Sequence, residues 1–449
     1  MLRSSGPIHT IGWFTASCLL ISNIIGGGIF TTTGLMARDL GDPMLILGLW
    51  SLGGLFAIGG AMVYGELGSR LPHAGGDYVY LREAYGPLVA FLSGWTSFTI
   101  GFGAAVAASS ISFSAYAFRI FPVMDESGWW AKGLSLTLLW LVTVIHSRGL
   151  AGGGRLQRVV TSTKVLAIGV LIVGGLSAST AHWDWLSAGP NVGPHPGSIA
   201  VALVIVVYCY LGWNVAGFIA TEIADPRRVL PRVMIGGTAF VATIYVLLNL
   251  VYLSALSVTS LAKEPIVPVA EKSAAALWGP NSGQLVAALL CLSIAGAVSA
   301  MTWAGPRVYW AMAQDGAITP WLAHRDRETG VPARAILFQT LWASALIVTG
   351  TFEQLIIYSG MVLAFFMGLT LSAIFPLRFK NRQPDPVYRS PWYPVLPALL
   401  VGGAALIVGS SVWHRPVEGL YGAATVAAGL PFYFYWKRKF PRSTQQEAR

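Results

Sequence analysis

Apolar residues in this chain do not alternate with polar ones. They come in long runs, divided by short polar pieces rich in Pro and Gly. Twelve such runs are read, at about 11–36, 43–68, 86–118, 129–146, 159–180, 197–224, 232–259, 283–312, 333–351, 354–377, 391–412 and 416–436. A bilayer core of roughly 30 Å takes about 20 helical residues, and most runs reach that length. The pattern predicts an all-α integral membrane protein with residues 1–449 forming a single transmembrane domain. No stretch between the runs is long enough for a soluble domain. The first run does not read as a cleaved leader, because only Arg3 precedes it, it is too long, and no small-residue cleavage site follows.

Composition narrows this further. Charged residues make up 11% of the chain, against about 25% in soluble domains, which excludes a water-soluble enzyme. Three cysteines in 449 positions exclude a disulfide scaffold. Cys18, Cys209 and Cys291 all fall within runs and have no metal-ligand spacing, so they read as free buried thiols. The seven His are scattered, which leaves no metal site and no cofactor expected.

The net charge of +10 depends on where the cations lie. With twelve spans, 21 of the 29 Lys and Arg occupy the loops on the side of the termini and six the opposite loops. Lys164 and Arg307 lie within spans. That asymmetry is the positive-inside bias, so both termini are expected in the cytoplasm. The charge then calls for a lipid bilayer and for no nucleic acid. Trp13, Trp50, Trp129, Trp130, Trp392 and Trp436 lie near span ends, as an interfacial aromatic belt requires.

Two spans are expected to lose their helical winding. The first contains Gly26, Gly27 and Gly28, each about 1 kcal/mol worse than Ala inside an aqueous helix. Three glycines fit either close helix packing or an unwound backbone that a ligand can approach. The sixth span, where Gly212 and Gly217 bracket Trp213 and Asn214, favours unwinding. These are the first spans of two five-span halves, about 11–180 and 197–377, and breaks at matching places point to a transport site. A half-helix starting after Gly28 offers free N–H groups to a carboxylate. Half-helices ending near Ile24 and Leu211 offer free carbonyls to an ammonium. A solute carrying both charges, such as a free amino acid, fits such a site.

Four stretches carry a resemblance to a known family. IIGGGIF (24–30), YGELGSRLPHAGGDYVYLREAYG (64–86), GWNVAGFIATEIADPRRVLP (212–231) and RVYWAMAQDGAITP (307–320) resemble motifs of the amino acid–polyamine–organocation superfamily, nearest its L-type amino acid transporters and their bacterial relatives. The resemblance implies a leucine-transporter-like fold: a 5+5 inverted repeat, helices 1 and 6 broken at mid-membrane, and appended helices at 391–412 and 416–436. It implies that the amides of Gly26, Gly27 and Gly28 hold a carboxylate, and that the carbonyls of Ile24, Tyr208 and Leu211 hold an amino group. It also places Tyr208 as a gate and Asn214 at the site wall. Gly27 departs from members that have Ser or Ala there, and Leu211 from members with a smaller residue, which favours small to medium neutral substrates. The resemblance implies sodium-independent secondary transport in the cytoplasmic membrane, as exchanger or proton-coupled symporter. The loop 121–130 lacks the cysteine that links eukaryotic members to a partner, so no disulfide-linked heavy subunit is expected.

Lys164 sits one to two turns into the fifth span. It either snorkels to the cytoplasmic face or, as the resemblance implies, points inward to replace a sodium ion. Glu66 and Glu222 read as structural, with Arg70 and with Arg227 and Arg228 in reach, and Arg307 reads as a cytoplasmic anchor. GLAGGGRLQR (149–158) lacks the Lys-Ser/Thr of a phosphate loop and reads as a flexible turn. A cationic amino acid or polyamine substrate stays open, as does an integral-membrane enzyme, although clustered catalytic side chains are missing from the sequence.

Overall fold

A computed structural model describes residues 11–120, 128–184, 196–263, 268–326, 328–350, 352–380, 386–414 and 416–439. Arg3 and residues 121–127 of the loop, both used above, lie outside the described residues. The described chain is helical, and its sole bridge pairing joins Ile11 to Ile223. Among the described residues, seven helical stretches are long and apolar enough to cross a membrane: Pro43–Arg70, Pro87–Ile120, Leu150–Leu176, Pro226–Ala255, Ser282–Gln314, Gly360–Lys380 and Val395–His414. Trp13–Ile24, Gly197–Tyr210 and Ala333–Thr349 are shorter apolar helices. The chain is therefore a multi-pass membrane protein.

Helix α1 (Trp13–Ile24) stops at Ile24, residues 25–27 are non-helical, and Gly28–Phe30 forms a 3-10 turn before α2 (Thr32–Leu40). Helix α3 (Pro43–Arg70) starts where its chemistry directs. Asp42 caps it by accepting from the Leu45 N–H at 3.0 Å, and Pro43 occupies the first turn, where no donor is needed. After α4 (Asp77–Tyr85) the next span runs through α5 (Pro87–Thr96), a π-helical segment at Ser97–Phe102 and α6 (Gly103–Ile120). Helices α7 (Trp129–Ser147) and α8 (Leu150–Leu176) follow.

A second non-helical stretch follows further along the chain. Helix α9 (Pro196–Tyr210) ends in turns at 211–214, and a single helical turn, α10 (Val215–Phe218), leads by a 3-10 turn to Glu222. Then come α11 (Pro226–Ala255), α12 (Val258–Leu261), α13 (Val269–Trp278), α14 (Ser282–Gln314), α15 (Ala333–Thr349), α16 (Phe352–Ser372), α17 (Ile374–Lys380), α18 (Val395–His414) and α19 (Pro416–Lys439).

Glycines let the longest helices meet. A Cβ on Gly65 of α3 would stand 3.1 Å from Pro231 Cα of α11. Glu66, fully buried, ties the end of α3 to α17: it accepts from Arg70 Nε at 2.8 Å, from Arg378 Nε at 3.0 Å and from the Ser390 N–H at 2.7 Å. That is the structural role expected of it. All three cysteines are buried and free.

Four sequence expectations change. Trp50 is fully buried and meets Tyr210 and Tyr245 edge-on, with centroids 5.8 and 5.5 Å away, so it belongs to the core and not to a belt. Trp13, Trp129, Trp130 and Trp392 are exposed, as a belt requires. GLAGGGRLQR is no flexible turn, because α8 begins at Leu150, immediately after Gly149 with its φ of +154. Its glycines serve packing: a Cβ on Gly153 would meet His146 Nδ1 at 2.6 Å.

Glu222, finally, does not pair with Arg227 or Arg228. Its carboxylate accepts from Arg307 Nε at 2.8 Å and from Trp303 Nε1 at 2.9 Å, all three side chains being buried. Arg228 faces Asp225, and Arg227 donates to the Ser69 carbonyl. Arg307 is thus an internal tie between α14 and the segment after α10.

Candidate functional site

A cavity of about 780 Å³ lies where α1 and α9 lose their winding. Exposed Arg38, Asp39 and His414 line one end, and buried Tyr64, Trp213 and Phe218 with half-buried Asp77 line the other. Arg38 precedes α3 and Asp77 follows it, so the cavity extends along much of a helix whose 28 residues span about 42 Å. It is open at the Arg38 end and closed at the Asp77 end. Beyond the closed end, the Ile11 N–H donates to the Glu222 carbonyl at 2.7 Å and the Ala224 N–H to the Ile11 carbonyl at 3.0 Å, with Glu222–Arg307 alongside.

Ile24, Gly26, Gly27, Gly28, Tyr208, Leu211 and Asn214 all border this cavity. Their backbone groups are not equally free. The Gly26 N–H already donates to the Ile24 carbonyl at 2.8 Å. That carbonyl also accepts from the Tyr245 hydroxyl at 2.8 Å, which uses both its lone pairs. Among the described residues, the N–H groups of Gly27 and Gly28 donate to no backbone carbonyl, and the Leu211 carbonyl accepts no backbone N–H. The Tyr208 carbonyl accepts from the Leu211 N–H at 3.1 Å and keeps one lone pair.

Several contacts join the two stretches. Gly212 has φ +123, which an L side chain rarely adopts. Its carbonyl accepts from Asn23 Nδ2 at 3.3 Å, across from α1. Thr32 Oγ1 lies 3.6 Å from Cys209 Sγ, and the Tyr245 hydroxyl bridges the Ile24 and Cys209 carbonyls.

Lys164 lies outside the cavity wall, fully buried, and does not snorkel. From α8 its ammonium donates to the carbonyls of Ile25 at 2.8 Å, Ser22 at 3.3 Å and Ser293 at 3.2 Å. One cation thus joins the end of α1 to α14.

The sequence reading missed several wall residues. Asn23 borders the cavity with Oδ1 unpartnered, and an amide inside an apolar run is the signal that marks it. Phe102 and Gly101 come from the π-helical segment, which no sequence period announces. Asp77 was overlooked because it lies in a loop motif, so the pocket does contain an acid. Its Oδ2 accepts from Asn214 Nδ2 at 2.9 Å, while Oδ1 is buried without a partner. Asp77 lies between spans, and burial raises its carboxyl to about 7, with Tyr64 and Asn214 pulling the other way. Among the described residues no group of three or more His, Cys, Asp or Glu is placed to hold a metal ion.

The sequence matches the amino acid permease family over residues 11–415. It is similar to the large neutral amino acids transporter small subunit 2 of Mus musculus, 30% identical over 447 residues that cover 96% of this chain and 82% of the relative. It is 28% identical to the serine/threonine exchanger SteT of Bacillus subtilis (strain 168), covering 97% and 99%. The b(0,+)-type amino acid transporter 1 of Homo sapiens is 27% identical, covering 94% and 87%.

Proposed function

Because this chain belongs to the amino acid permease family, we propose that it carries neutral L-amino acids across the cytoplasmic membrane by sodium-independent alternating access. It is a transporter and not an enzyme. The observation that carries this reading is the cavity lying at two interrupted helices, bordered by free N–H groups on one side and free carbonyls on the other. Relatives named for large neutral amino acids and for serine/threonine exchange support a neutral substrate and exchange chemistry.

In this reading the N–H groups of Gly27 and Gly28, with Gly26 beside them, hold the substrate carboxylate. The carbonyls of Leu211 and Tyr208 hold its ammonium, and that of Ile24 joins once Tyr245 yields. Opposite partial charges at the two helix ends match a zwitterion and reject a solute carrying only one of its charges. The ring of Tyr208 gates the cavity, and Leu211 forms one wall against the substrate side chain. Lys164 supplies the positive charge that a sodium ion would otherwise bring between α1 and α14.

The twelve-span, 5+5 arrangement is supported by which helices pack together. Span 2 (α3) packs on span 7 (α11), span 3 (α6) on span 8 (α14), and α1 on α10, each pair five spans apart. With both termini cytoplasmic, the open end of the cavity faces outside and Ile11–Ile223 seals the inside. The chain acts without a disulfide-linked subunit. Uptake of radiolabelled neutral amino acids into proteoliposomes, with and without internal amino acid, tests this. Exchange-stimulated, sodium-independent uptake is expected, and no flux for any amino acid overturns it.

A further inference from the structure

Asp77 is a half-buried acid, with its Oδ1 enclosed, that the transport reading leaves without a task. It is the first residue of α4, reached through Gly75 and Gly76 at φ +115 and +49. It borders the closed end of the cavity. Asn214 holds one carboxyl oxygen, and the other has no partner. Among the described residues no Lys, Arg or His pairs with it within 4 Å. The titratable groups that act on it are the phenols Tyr64 of α3 and Tyr80 of α4. The turn at 211–214 presents only the neutral Asn214 amide, and α16 offers the Thr370 hydroxyl beside Tyr64. The nearest charges of α4 face away: Arg82 pairs with Asp315 at the end of α14, and the Tyr78 hydroxyl donates to the same carboxylate at 2.8 Å. Glu222 and Arg307 satisfy each other.

We propose that Asp77 is a proton-binding site whose protonation loosens its hydrogen bond to Asn214, and with it the closed end of the cavity. The inference rests on the transport reading. Asn214 belongs to the same unwound segment as Leu211, so the Asp77–Asn214 bond ties α4 to the backbone that holds substrate. Opening the closed end requires that segment to part from α4. As an anion, Asp77 accepts a charge-assisted bond, about twice as strong as a neutral one. A proton that reaches the carboxyl from the cavity leaves the neutral bond, and it departs to water when the closed end opens. Burial places the two forms in balance near neutral pH, as the raised carboxyl indicates.

The test is exchange of a radiolabelled neutral amino acid in proteoliposomes between about pH 5.5 and 8.5, for the wild type, Asp77→Asn and Asp77→Glu. The wild-type rate is expected to fall about fivefold as pH rises through 7, the difference between a charged and a neutral hydrogen bond. Asp77→Asn, a permanently neutral mimic, holds the fast rate at every pH, and Asp77→Glu keeps the pH dependence. An Asp77→Asn profile that follows the wild type, or a wild type that exchanges at a pH-independent rate, overturns the proposal alone. Absence of flux in the wild type overturns the transport reading and the proposal with it. If Asp77→Asn folds but does not exchange, substrate-induced thermal stabilisation decides over the same pH range. A flat profile in the variant against a sloped one in the wild type supports the proposal, and a slope in both overturns it.

Discussion

The Lys164 ammonium stands 2.8 Å from the Ile25 carbonyl, the first carbonyl after the end of α1. A charge from one helix therefore caps the unwound end of another, and through Ser293 it reaches a third. Without it three buried carbonyls lose a strong donor, at about 1.5–3 kcal/mol for each bond to a charged group, partly offset by no longer burying an ammonium. Lys164→Met is expected to keep the fold and lower the exchange rate at least about tenfold, the equivalent of 1.4 kcal/mol. Folding is read by size-exclusion profile and exchange by counterflow. A variant that exchanges at the wild-type rate removes Lys164 from the mechanism.

Adjacent glycines in the first interruption should differ in tolerance. A Cβ on Gly27 would meet Ser112 Oγ at 3.4 Å, an ordinary contact, whereas one on Gly28 would stand 2.7 Å from Cys209 Sγ. Gly28→Ala is expected to destabilise by about 1–3 kcal/mol through overpacking. Cys209→Ala in the same chain should recover much of that loss, and Gly27→Ala should stay near the wild type. Thermal denaturation in detergent reads all three. Equal losses for Gly27→Ala and Gly28→Ala would contradict the packing.

At Gly212 the argument is conformational. Its positive φ shapes the turn that frees the Leu211 carbonyl, and its own carbonyl receives Asn23. Gly212→Ala forces an L residue into that region, at about 1–3 kcal/mol, and crowds Asn23. The expected result is lost substrate-induced stabilisation together with a lowered melting temperature. Wild-type binding in this variant would show that the turn does not shape the site.

The Glu222–Arg307 pair lies in buried positions beyond the closed end of the cavity, so removing one partner leaves an uncompensated charge. Arg307→Met or Glu222→Gln alone is expected to lose about 3–5 kcal/mol, and the double variant less than the sum. Unfolding midpoints of the two singles and the double measure the coupling. Strict additivity would mean that the pair does not act as a unit.

The parts of this fold that depend on hydrophobic run length were legible in the sequence. The run 283–312 differs from Ser282–Gln314 by one residue at the start and two at the end, because burial in lipid leaves little choice but helix. The non-helical residues 25–27 fall beside the three glycines at 26–28, which weaken a helix locally. What the sequence hid was set by tertiary neighbours. Nothing near Glu222 in the chain indicates Arg307, 85 positions away, and adjacent Arg227 and Arg228 suggested the wrong partner. Trp50 reads as interfacial from its place at a span end, yet Tyr210 and Tyr245 enclose it. The occupied lone pairs of Ile24 depend on Tyr245, which no local motif marks.

A structure determined by electron cryo-microscopy with a neutral amino acid bound addresses the site most directly. The account predicts the substrate carboxylate within hydrogen-bond distance of the Gly27 and Gly28 N–H groups and its ammonium on the Leu211 carbonyl. An amino acid seated elsewhere in the cavity, with those three backbone groups still facing water, would contradict it.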